Sequence, residues 1–284
     1  MKIQKIEDCR KVYRDIVVGY TAVREPRCFI KHLREIDLGS LENRSDSILE
    51  QLKENNIPTE KEVLAALDKK EIWTKANEDE FAGLIQSIKD LELERRKIVS
   101  REQVEQLLKF IGEERKRLEE ISRERDGHLK ISAEHFLRKK AQEELIKISF
   151  YKDEKLTEPL LNNEEFDAID YKGLGTYFEL FNEMSETMSE SNIKKVSVTP
   201  AFLNLFCLAD NINNFYGKSI VDLTIYQCDL FHSGKINRQM IEQGSVPPTD
   251  YSDLDRVVLF FDAEYSIALG RAEEARKRER HNER

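Results

Sequence analysis

The chain has 284 residues, of which 39% are hydrophobic and 36% are charged, a charge fraction well above the ~25% of ordinary globular chains. Its net charge of −9 argues against a polyanion ligand, because nucleic-acid binders need a basic face to neutralise phosphates. No apolar run approaches the ~18 residues of a membrane span, and Met1-Lys2-Ile3-Gln4-Lys5 lacks the apolar core of a signal segment.

The first element is the β-branched run Ile16-Val17-Val18-Gly19-Tyr20-Thr21-Ala22-Val23, which reads as a short N-terminal strand ending before Pro26. Phe29, Ile30, Leu33 and Ile36 are spaced for a short helix stopped by Gly39, and a second helix is expected over residues 41–54. Asn55-Asn56-Ile57-Pro58 breaks the chain. Thr59 and Glu62 then form a capping box that opens a helix through Val63, Leu64 and Leu67. Trp73, the only tryptophan, is expected to anchor the base of a helical arm in the core.

That arm, residues 77–127, carries the clearest pattern. Phe81, Leu84, Ile88 and Leu91, then Val104, Leu107, Ile111, Leu118 and Ile121, lie on one helical stripe in a highly charged background. The step of six from Ile98 to Val104 breaks the phase, and Ser100-Arg101-Glu102-Gln103 supplies a fresh capping box at the slip. The stretch therefore reads as two helices folded into a hairpin that turns near Val99–Arg101, with Asn77 as the first N-cap.

Ser132 caps the next expected helix, to about Tyr151, followed by a polar loop over residues 152–163. Tyr177, Leu180, Phe181, Met184 and Met188 have helical spacing. Thr199-Pro200 opens a helix whose apolar residues, Phe202 to Leu208, make it the expected centre of the core, with Leu205, Leu223 and Tyr226 buried beside it. Residues 211–214 read as a loop and 220–231 as helical. Pro247-Pro248 precedes a last helix from about Asp253, and 271–284 is a charged, frayed tail.

No local catalytic or metal motif stands out. Gly217-Lys218-Ser219 lacks the upstream glycine of a phosphate loop, since Ile212 occupies that position, and reads as a turn. Cys228 and His232 have the spacing of two metal ligands on a helix, but no second pair accompanies them. His128 and His135 flank a helix start. Asp250, Asp253, Asp255 and Asp262 lack the glycine and terminal glutamate of a calcium loop. Cys9, Cys28, Cys207 and Cys228 form no C-x-x-C pair and read as reduced thiols. No catalytic, cofactor-binding or metal-binding residue is assigned. The one aromatic cluster away from an obvious helix core, Phe215 and Tyr216 with Tyr226, reads equally well as a partner-binding surface or as packing.

Several strings, in order over about residues 28–240, resemble a poorly characterised family of proteins from large contractile-tailed, T4-like bacteriophages. They are Ile30-Lys31-His32-Leu33, Pro58-Thr59-Glu60-Lys61-Glu62, Ile72-Trp73-Thr74, the charged hairpin, Phe150-Tyr151-Lys152-Asp153 and Glu165-Phe166-Asp167. The most distinctive are Phe202-Leu203-Asn204-Leu205-Phe206, Phe215-Tyr216-Gly217-Lys218, Leu223-Thr224 and Tyr226-Gln227. Ser219 and the charged C-terminus depart from the family pattern. The resemblance implies a virion structural component or an assembly factor, such as a tail-assembly chaperone, in the host cytoplasm or the virion. It transfers no functional residue.

The expected architecture is mainly α, a helical body with a projecting antiparallel coiled-coil hairpin and a short N-terminal β element. Its segments are 1–76, 77–127, 128–270 and 271–284. The expected function is non-enzymatic protein–protein interaction, with phage structural proteins as partners, no cofactor and no membrane, and with homo-oligomerisation left open. Two alternatives are a nucleic-acid-associated factor using Arg95, Arg96, Lys97, Arg101, Arg115, Lys116 and Arg117, and an enzyme whose site is not local in sequence.

Overall fold

The computed structural model describes residues 3, 5–95, 101–206, 209, 211–265 and 267–268. In chain order the first elements are α1 (Ile6–Val18), β1 (Tyr20–Val23), β2 (Cys28–Lys31), α2 (Glu35–Glu54), α3 (Glu60–Lys69), α4 (Lys75–Arg95) and α5 (Arg101–Leu129). Then come α6 (Ala133–Ser149), β3 (Phe150–Tyr151), α7 (Asn163–Ala168), α8 (Tyr171–Thr187), α9 (Glu190–Ser197), α10 (Pro200–Phe206), α11 (Ile212–Tyr216) and α12 (Ile225–Glu242). Residues 254–265 are also helical. The fold is thus mainly α with one small antiparallel sheet, ordered β1-β2-β3. Contacts divide the chain into two units, Met1–Leu41 with Glu143–Arg284, and Glu42–Gln142. The second is an insertion in the sequence of the first.

In the first unit, α1 turns Cys9, Val12 and Ile16 into the core at helical spacing. Gly19 ends it. Its φ of 88° is left-handed, and its N–H returns to the Asp15 carbonyl at 3.0 Å. Of the run expected to be a strand, Ile16 to Val18 therefore complete a helix, and β1 begins only at Tyr20. The helix expected over 29–38 is corrected more fully. Phe29 and Ile30 lie in β2, the central strand, with Ile30 opposite Thr21 on one side and Phe150 on the other. Cys28, Phe29 and Ile30 are buried in succession, so the alternation that marks a half-exposed strand is absent. Gly39 does not stop a helix. Nothing lies within 4 Å of where its Cβ would be, and α2 runs through it.

The centre of this unit is α9, which packs against α1, α10 and α12. Ile193 and Val196 are buried there along with Asn192, Lys195 and Ser197. Each polar group has a partner. Asn192 Oδ1 accepts from Ile3 N at 3.3 Å, and its Nδ2 donates to the carbonyls of Glu186 and Thr187. Lys195 Nζ donates to the Ile3 carbonyl at 3.1 Å and pairs with Asp255. Ser197 Oγ accepts from Asn237 Nδ2. The expectation that α10 forms the centre is corrected accordingly. Phe202, Leu203 and Phe206 of α10 are buried, but Leu205 is 49% exposed, so this helix has an outer face. Leu223 is buried and Tyr226 half-buried; Cys207 and Leu208 lie outside the described residues. Leu254, Val257 and Phe261 add a last stripe from the C-terminal helical segment.

In the second unit, α4 and α5 pack side by side. Ion pairs Arg115–Glu92, Arg117–Glu80 and Arg125–Glu78 join rising positions on α5 to falling ones on α4, so the pair is antiparallel. Leu84, Ile88 and Ile111 are buried along the stripe that the sequence marks. The turn near Ser100 and the tail 271–284 lie outside the described residues. Thr74, not Asn77, opens α4. Asn77 Oδ1 instead accepts from Thr74 N at 2.9 Å and from its hydroxyl at 2.7 Å, in the reciprocal position. Trp73 is buried, and its Nε1 donates to Glu78 at 2.6 Å. Thr59 and Ser132 cap α3 and α6 as expected.

Candidate functional site

The residues marked as a candidate partner surface fall at α11 and the start of α12. Asn211 opens α11 by accepting from Asn214 N at 2.9 Å, and Gly217 closes it with a φ of 64°. The expected loop at 211–214 is therefore a short helix, missed because five residues carry no periodicity. It delivers Phe215 onto Phe202, Phe206 and Phe231, with ring centroids 5.8 to 6.0 Å apart. Tyr216 packs edge-on to Phe215, and its hydroxyl donates to the Gln227 carbonyl at 3.0 Å. Burial pushes its phenol far above the usual range. Tyr226 lies edge-on to His32 at 5.2 Å. All three residues are half-buried, and Phe215 and Tyr226 belong to the aromatic lining of the core.

Beside them is a polar junction that sequence reasoning missed. Gln227 side-chain Nε2 donates to the carbonyls of Ile16 and Val17 at 2.9 and 3.0 Å, closing α1, while its Oε1 accepts from Thr224 N to open α12. The Thr-x-x-Gln spacing at 224–227 was the available signal. His32 is fully buried. Its Nε2 is 2.9 Å from Thr21 Oγ1, and its Nδ1 has no partner among the described residues. Burial, reinforced by the Lys218 ammonium, pushes its pKa down to about 3, so the ring is neutral. Lys218 is half-buried, and burial holds its ammonium below the usual range. On the outer side, Asp37 gathers Lys31 at 2.9 Å and Arg34 at 3.2 Å, and Arg34 also reaches Asp222. This junction locks sheet, α1 and α12 together.

Cys228 and His232 are not joined by any third ligand: among the described residues no group of three His, Cys, Asp or Glu side chains is placed to hold a metal ion. His128 packs against Trp73 at 5.9 Å.

A second place with binding geometry lies on α5. Arg115, Leu118, Glu119, Ser122, Arg123, Asp126, Gly127, Lys130 and His135 line an open groove of about 590 Å³. Steps of three and four put the α5 members on one face. Leu118 and Ser122 are half-buried, whereas Arg115, Glu119 and Arg123 stand largely exposed. The basic residues proposed for nucleic acid are partly committed, since Arg115 and Arg117 pair with Glu92 and Glu80. Arg96 and Lys97 lie outside the described residues. Comparison with known proteins found no matching family model, curated protein or solved structure.

Proposed function

We propose that this chain is a non-enzymatic interaction protein whose α4–α5 hairpin is its partner-binding element. One observation carries the reading: the hairpin leaves large apolar side chains outside its own seam. Leu93, Leu108 and Phe110 are 53%, 44% and 47% exposed, in the half of the hairpin nearest residues 96–100. Exposed apolar groups ringed by charge are the composition of a protein-binding surface, where aromatic and aliphatic anchors supply most of the affinity. The resemblance to phage proteins supports partners among virion or assembly proteins, with this chain acting in the host cytoplasm or within the virion.

The test is a photo-reactive benzoylphenylalanine at position 110, with the same group at the exposed Val246 as control. Illumination in cells producing the candidate partners should give one dominant crosslinked polypeptide at 110 and none at 246. An unlinked chain at both positions would remove the proposal. Tight, salt-sensitive DNA or RNA binding would replace it with the nucleic-acid reading.

A further inference from the structure

We infer that the groove face of α5 pairs antiparallel with the same face of a second copy, about a twofold axis level with the peptide between Glu124 and Arg125.

The first observation is Gly127. It lies near the end of α5, has an ordinary helical backbone, and nothing comes within 4 Å of where its Cβ would stand. A helical glycine costs roughly 1 kcal/mol against alanine. The chain's own packing does not require its missing side chain. Gly83 and Gly112 are equally open, but Gly127 alone lines the groove, where its bare backbone leaves room for a close approach from outside.

The second observation is the order of charge along the face: Arg115, Glu119, Arg123, Asp126, Lys130, alternating in sign up to Asp126 and again at Lys130. A twofold interface makes each residue meet the mate of its partner, so only some registers are self-complementary. An axis between Ser122 and Arg123 sets Arg115 against Lys130 and Glu119 against Asp126, like on like. Moving the axis to the level between Glu124 and Arg125 sets Glu119 against Lys130 and Arg123 against Asp126. In that register Ser122 also meets Gly127, small against small. Charge and size match at this setting and not at the first. The helical part of the face then spans about 17 Å from Leu118 to Leu129, at 1.5 Å per residue. A face of that length buries less than the ~800 Å² per partner of a standard interface, so the association is a reversible one.

The test uses the full chain with the exposed Cys228 replaced by serine. Ser122→Cys with Gly127→Cys should form a covalent dimer under mild oxidation. Either substitution alone should not, because like positions lie about 7–8 Å apart along the axis, beyond disulfide reach. Sedimentation equilibrium supplies the second readout. Asp126→Arg should raise the dimer dissociation constant about tenfold or more, and adding Arg123→Asp should restore it. A chain still monomeric at about 100 μM overturns the inference. So does a dimer that ignores Asp126→Arg, or one that fails to crosslink in the double-cysteine chain.

Discussion

At Gly234, a Cβ would stand 2.8 Å from Phe202 Cε1 and 3.1 Å from Phe206 Cδ2. This glycine sets how closely α12 approaches α10. Gly234→Ala gains helix propensity of at most ~1 kcal/mol but forces two packed rings to move, and overpacking of this kind costs about 1–3 kcal/mol. The expected result is a lower thermal midpoint, partly restored by Phe202→Leu. Phe215→Ala should cost about 3 kcal/mol through its lost aromatic contacts, read by denaturant unfolding. His32 makes a pH prediction. Its folded pKa lies near 3, below the ordinary 6.5, so the unfolded chain takes up a proton that the folded one refuses between those values. Its effect on stability is absent above 6.5 and grows as pH falls, by at most ~1.4 kcal/mol per pH unit down to about pH 3. Denaturant midpoints from pH 7 to pH 4 should fall less steeply in His32→Gln.

Among the elements, the hairpin was legible because an apolar stripe in a charged background has one helical solution. Leu84, Ile88 and Ile111 follow it. The central strand and α9 were not legible, for opposite reasons. Cys28-Phe29-Ile30 is buried in succession and shows no alternation, whereas Asn192, Lys195 and Ser197 are polar residues that only the fold reveals as buried and satisfied. The candidate surface at Phe215 and Tyr216 left two readings open, since sequence places aromatics without showing what they face. The base of the hairpin rests on Arg125, which pairs with Glu60 and Glu78 and lies 5.1 Å over the Phe81 ring. Arg125→Met removes the cation that Glu60 and Glu78 share, leaving Glu78 with Trp73 and Glu60 with Arg138, and should destabilise by about 1–3 kcal/mol, below the range for a fully buried pair. Urea unfolding followed by Trp73 fluorescence reports it, since Trp73 shares Glu78 with Arg125.

For the whole molecule, the two units predict two calorimetric transitions, each with its own core. Gly234→Ala should lower one midpoint and Arg125→Met the other. A single transition moved by both would show one cooperative body. The insertion also gives the chain a history during translation. Helix α1 and the first two strands leave the ribosome before the inserted unit, yet the helices packed against α1 are α9 and α12, which are made only after it. At 5–20 residues per second, the apolar side chains of α1 wait on the order of ten seconds or more for their permanent neighbours, while the inserted unit has all its own sequence in hand. This segment is therefore enclosed long after it is synthesised, and the nascent chain has most need of a chaperone during that interval.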